Sequence, residues 1–170
     1  FTDYRKAFVD GKDDGGIDLV SIIEDDIQNT LLLIQCKYIE NLQNSQDIID
    51  IFRKIHDTIS NFLRNEYSRY NKQIKQKLLE KIEFVSDNPY NTELVLCIGT
   101  DISTQIREKI NNQIEKDDNL KDYQISFFDK SQIEEQIESV LNPKRFVEFA
   151  KIKFAKEHGK IEYGKNGLLV

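Results

Sequence analysis

Hydrophobic and polar positions along this chain follow two periods, and the points where the period changes divide it into elements. Ile17-Asp18-Leu19-Val20-Ser21-Ile22-Ile23 is rich in β-branched and aliphatic side chains, which suit a strand. A polar stretch, Glu24 to Thr30, reads as a hairpin-like connection to a second strand from Leu31 to Tyr38. The near-continuous apolar start of that strand predicts a central position, buried on both faces. From Ser45 to about Ile82 the period becomes helical, with Ile48, Ile51, Phe52, Ile55, Ile59, Phe62 and Leu63 on one stripe. Ser45 is the expected cap and Asp47 sits in the first turn. The more polar run from Arg64 to Lys77 predicts a break near Ser68, and Ser86 to Pro89 a turn.

Glu93 to Gly99 reads as a third strand, and Thr104 to about Lys116 as a helix capped by Asp101 or Ser103. A fourth strand, Tyr123 to Phe128, leads to a helix from Ser131 to Leu141. The order strand, strand, helix, strand, helix, strand, helix predicts an α/β class. After Asn142-Pro143 the pattern changes, and Phe146 to Phe154 and Lys160 to Val170 read as strands turned at His158-Gly159. Residues 1–145 are therefore expected to form one domain, and 146–170 a β-rich tail that can begin a second.

Composition narrows the class. Hydrophobic residues make up 39% of the 170, enough for the core of one domain. No apolar run approaches the ~20 residues of a membrane span, and residues 1–10 lack the layout of a signal peptide. A cytoplasmic location is expected. The start at Phe1 and the apolar end at Gly167 to Val170 read as those of a piece of a longer protein. Cys36 and Cys97 each fall inside an apolar strand and read as two buried thiols; a disulfide on adjacent strands is possible but not indicated. Together with the scattered His56 and His158 they make no zinc site. The formal charge is −6, which argues against an extended nucleic-acid surface. A local basic groove remains compatible with it, and carboxylates gathered around a cation would add to it.

The informative chemistry lies between residues 11 and 38. A turn with Gly11, Gly15 and Gly16 among Asp13 and Asp14 leads into Asp18, and Gln35-Cys36-Lys37 follows at the end of the second strand. Phosphodiester hydrolysis needs a divalent cation, oxygen ligands to hold it, and a positive group near the water or the developing charge. Asp18 offers a carboxylate and Gln35 an amide oxygen, both hard donors. Lys37 offers a mobile ammonium. Residues two apart on a strand share a face, so Gln35 and Lys37 project together while Cys36 points away. Each feature alone is ordinary turn or strand-edge chemistry; their order along the chain is what singles them out.

Asp14-Gly15-Gly16-Ile17-Asp18 with Leu33-Ile34-Gln35-Cys36-Lys37-Tyr38 resembles the Mrr-like branch of the PD-(D/E)xK nucleases. More narrowly, it resembles the N-terminal region of abortive infection phage resistance (AIPR) proteins. The resemblance implies a restriction-endonuclease-like core, a central mixed sheet flanked by helices. It implies Mg²⁺ (or Mn²⁺) as cofactor, with Asp18 and Gln35 as metal ligands and Lys37 activating water. It implies nucleic acid as the partner, DNA first with RNA left open, and bacterial defence against phage as the setting; a homodimer is compatible with it. Ile17 stands where the family name has proline, and Gln35 stands where it has an acid. A Glu from a helix before the first strand would fall at or before residue 1, and Asp13 or Asp14 can take its place.

Among other candidates, His56 reads as a helix-surface histidine. Lys72, Lys75, Lys77 and Lys81 read as a solvated helix face. Gly99-Thr100-Asp101 reads as a turn and cap that can border the site. Tyr38 can contact substrate or pack beside it. Two further function classes stay open. One is a nuclease-fold binding or scaffold module without activity. The other is a nucleotide-binding domain, disfavoured because the glycine-rich loop precedes a strand rather than a helix.

Overall fold

A computed structural model of the chain describes residues 7–40, 42, 44–87 and 89–142, and the backbone of three short strands beyond them. It shows an α/β fold with a four-stranded mixed sheet and four helices. The elements are β1 (Leu19–Ile23), β2 (Asn29–Lys37), α1 (Gln46–Leu63), α2 (Lys72–Ser86), β3 (Tyr90–Ile98), α3 (Thr104–Lys116), β4 (Gln124–Phe128) and α4 (Lys130–Leu141). The strand order is β1-β2-β3-β4, with β1 antiparallel to β2 and both later pairs parallel. Two compact units are present, residues 1–134 and residues 135–170, and the division falls within α4. The second unit holds β5 (Lys153–Phe154), β6 (Ile161–Tyr163) and β7 (Gly167–Leu169), paired antiparallel in that order. The expected turn at His158-Gly159 and most of the strand expected from Phe146 lie outside the described residues.

In the first unit, strand parity sorts the sheet into two unlike faces. Val20, Leu31, Leu33, Leu94, Leu96 and Ile98 share one face and join α1 and α2 residues such as Phe52, Ile55, Ile74 and Leu78 in a single core. Fully burying each such side chain contributes roughly 1.5–3 kcal/mol. Leu19, Leu32, Ile34, Val95, Cys97 and Phe128 share the other face; of these only Val95 is buried, and none belongs to that core. The expectation that β2 is buried on both faces is therefore corrected. Its odd-numbered residues Leu31 and Leu33 are buried, whereas Leu32 and Ile34 are only partly so.

The long helical stripe is two helices, and the break comes from a single residue. Asn65 takes a left-handed conformation (φ 62°) just after α1. Its N–H bonds Phe62 O and the Glu66 N–H bonds Asn61 O at 2.7 Å, the double closure that ends helices at a left-handed residue. Ser45 makes no side-chain cap bond, contrary to expectation; Asn44 Oδ1 accepts from the Gln46 N–H instead. At α3 the cap is Ser103, whose hydroxyl accepts from the Ile106 N–H. Asp101 serves α4, accepting from Ser131 N–H and hydroxyl at 2.9 and 2.7 Å.

Candidate functional site

Antiparallel pairing sets the start of β1 beside the end of β2, so residues 17 positions apart in sequence become neighbours. Asp18 stands immediately before β1, not inside it as expected, with its N–H bonded to Ile34 O at 2.8 Å. Its carboxylate turns along the β2 end. Oδ2 accepts from the Cys36 N–H at 2.6 Å and from Gln35 Nε2 at 2.7 Å. Gln35 and Lys37 continue the face that Leu31 and Leu33 begin, and they lie beyond the apolar core where it opens to solvent. Asp18, Gln35 and Lys37 all line one cleft of about 430 Å³. The structure thus brings the three residues together at one cleft.

Two carboxylates join them from the segment before β1. Residues 7–9 run along the free edge of β1, where Val9 N–H bonds Asp18 O at 2.8 Å and Val20 N–H bonds Ala7 O at 2.9 Å. This backbone pairing brings Asp10 to the cleft. Asp14 arrives through the glycine turn, where its carboxylate also accepts from Gly16 N–H at 2.7 Å and Gly11 N–H at 3.3 Å. Oxygens of Asp10, Asp14 and Asp18 lie no more than 4.8 Å apart. Asp13 takes a left-handed conformation and faces a second cavity of about 370 Å³, which shares Asp14 and Lys54 with the cleft. Of the two turn aspartates offered by the sequence, Asp14 is the one at the site.

The helix α1 closes the cleft with Ile51 and Lys54. Its approach explains the two glycines. Gly15 and Gly16 have φ of +74° and +80°, and a Cβ on Gly15 would stand 2.6 Å from the Thr58 side chain. Thr58, fully within the core, donates to Gly15 O at 2.8 Å. At Gly16 the neighbour is the aliphatic stem of Lys54, 3.0 Å from a Cβ position. The glycines admit the close approach of this helix. Among the described residues, neither Lys37 nor Lys54 has an ion-pair or hydrogen-bond partner, so both ammonium groups remain available to a ligand.

The carboxylates are crowded, and Asp18 shows it. Burial pushes the Asp18 carboxyl above the ordinary carboxylate value, and repulsion from Asp10 and Asp14 adds to it. Hydrogen bonds from Cys36 and Gln35 pull the other way without cancelling the rise. The three carboxylates are hard oxygen donors that would suit Mg²⁺, Mn²⁺ or Ca²⁺ rather than a thiophilic metal, while Gln35 presents its amide nitrogen to Asp18. Sequence reasoning missed Asp10 and Lys54. Asp10 carried no signal; Lys54 sits one turn after Ile51 at the edge of the buried stripe, a position that does mark a residue at a core margin.

The remaining candidates are tied up structurally. His56 Nδ1 lies 3.1 Å from Tyr123 Oη, and Nε2 lies 3.4 Å from Ser60 Oγ. Lys75 donates to Ser68 O, Lys77 to Phe8 O, and Lys81 pairs with Glu80. Tyr38 is exposed and lies over Gly99, where a Cβ would meet its ring at 2.9 Å. No helix among the described residues is long and apolar enough to cross a membrane. Comparison with family models, curated proteins and solved structures found no match to this chain.

Proposed function

We propose that the first unit is a divalent-cation-dependent nuclease of the PD-(D/E)xK type, with a restriction-endonuclease-like core. The observation that carries this reading is the convergence of Asp18, Gln35 and Lys37 on one cleft, joined there by Asp10 and Asp14. Asp18, Asp10 and Asp14, with the Gln35 amide oxygen, would hold the cation. When bound, it supplies Lewis-acid stabilisation of phosphoryl charge and a lower pKa for water. Asp18 Oδ2 is fixed by two hydrogen bonds, so its orientation is set before any ligand arrives. Lys37 positions the attacking water or balances the charge developing on the phosphate. Lys54, on the opposite wall, anchors a neighbouring phosphate of the strand. The substrate is DNA, and the biological setting is defence of a bacterial cell against phage. The two lysines are local positive charge in a chain of net charge −6, so affinity rests chiefly on the metal site.

A second reading, a nuclease-fold binding module without catalysis, draws on one observation. Gln35 offers Asp18 its amide nitrogen, a contact that ties the two side chains together with no cation required.

The test is cleavage of plasmid and single-stranded DNA with Mg²⁺ or Mn²⁺, comparing the protein with Asp18→Ala and Lys37→Ala. Metal-dependent cutting that falls at least a hundredfold in both variants is the expected result. Cutting retained in both would place the site elsewhere. No cutting by the folded wild type, with Mg²⁺ still raising its melting temperature, would favour the binding module.

A further inference from the structure

The two cysteines of the chain meet across the sheet. Cys36 on β2 pairs directly with Cys97 on parallel β3, and the shared register puts both side chains on the face opposite the core. Cys36 is exposed and Cys97 partly so, and both are free thiols in contact with one another. The sequence led us to expect two buried thiols; strand parity reverses this for Cys36, because the core helices pack on the other face. Directly paired residues of neighbouring strands stand about 4.8 Å apart. That lies within the ~4.4–6.8 Å Cα separation of disulfides.

We propose that Cys36 and Cys97 form a reversible dithiol–disulfide site, oxidised by small disulfides of the glutathione class. The site stands independently of the nuclease reading. A thiolate of the pair attacks one sulfur of the small disulfide; its S–S bond breaks, a protein mixed disulfide forms, and one small thiolate leaves and takes up a proton. The second cysteine then loses its proton and attacks the first cysteine's sulfur. The mixed S–S bond breaks, the Cys36–Cys97 bond forms, and a second small thiol departs. Two protein thiols are oxidised and one small disulfide is reduced to two thiols. A hydrogen bond from the Cys36 thiol holds the Cys97 thiol below its ordinary value, which favours thiolate for the first step. Thiol–disulfide exchange runs in both directions, so excess thiol reopens the bond and the site is a reversible one.

The experiment treats the folded protein with oxidised glutathione, then maps peptides by mass spectrometry without reduction. Expected is a Cys36–Cys97 cross-link with the mass of two hydrogens lost, reversed by dithiothreitol. In Cys36→Ser and in Cys97→Ser, the remaining cysteine should instead be trapped as the mixed disulfide. Circular dichroism confirms folding of each, and the wild-type map stands even where a variant unfolds. Mixed disulfides on both cysteines without the cross-link would overturn the proposal. So would a bond between two copies, or a cross-link that forms only in denaturant.

Discussion

The two faces of the sheet use the same strands for different ends. On one face Leu31, Leu33, Leu94 and Leu96 meet helices and are sealed from water; on the other Leu32, Ile34 and Cys97 remain partly open. Burial thus alternates along β2 with a period of two, although its hydrophobicity does not. What the contrast teaches is that apolar content alone does not locate the core; the position of the helices does. The candidate site belongs to the packed face. Gln35 and Lys37 extend the row of Leu31 and Leu33 past the point where α1 stops excluding water.

The sharpest way to break this comparison is a pair of truncations one residue apart. Leu33→Ala should destabilise the protein by about 3–4 kcal/mol, since the cavity it leaves is enclosed. Equal costs for Leu33→Ala and Ile34→Ala in urea unfolding would show that both faces are packed alike. Next in size, Gly15→Ala should cost about 2–3 kcal/mol by the same measurement, because it adds backbone strain and a clash with Thr58. A cost below about 0.5 kcal/mol would mean that α1 is not held against the turn.

Asp18→Asn sharpens the comparison at the polar end of the packed face. A carboxyl whose folded pKa exceeds its unfolded value binds its proton more tightly when folded. The stability it contributes is therefore greatest at acid pH and declines as pH rises from the ordinary carboxylate value of 3.8 through the raised folded value. Without divalent ions, Asp18→Asn should lose this decline and match or exceed the wild type in melting temperature at pH 7. Millimolar Mg²⁺ should raise the wild-type melting temperature by a few degrees and leave the variant unmoved. A variant that melts lower at pH 7 and still responds to Mg²⁺ would remove Asp18 from the proposed cation site. The smallest effect belongs to Ile34→Ala, about 1 kcal/mol, on the face where the side chain is already half in water.

Much of the fold was legible because its periodic segments are long. The order of strands and helices, and the extent of α3, follow from apolar spacing and caps. Strand parity gave Gln35 and Lys37 a common face, and hairpin pairing brought Asp18 to them. What stayed hidden depends on tertiary packing. Asp10 reaches the cleft only because residues 7–9 pair with β1, and Lys54 only because α1 docks over the glycine turn. The early end of α1 turned on Asn65 taking a left-handed conformation, which many asparagines do not. The exposure of Cys36 could not be read from its apolar neighbours, since they alternate in burial while matching in hydrophobicity.

The glycine turn has an implication for the order of events in folding. Apart from the bonds its own Asp14 carboxylate accepts, its fastenings are remote. Thr58 of α1 holds Gly15 O, while Asn71 donates its amide to Lys12 O, its backbone N–H to Asp13 O, and caps α2 through Ile74. The loop therefore has little to hold it until both helices have docked, and the acidic cluster assembles only then. Cation added to refolding chains should leave the early, sheet-forming phase unchanged and slow the reverse step, in which the helices lift away. Timekeeping in this molecule would then run from hydrophobic docking to ion capture, with the metal arriving as a latch.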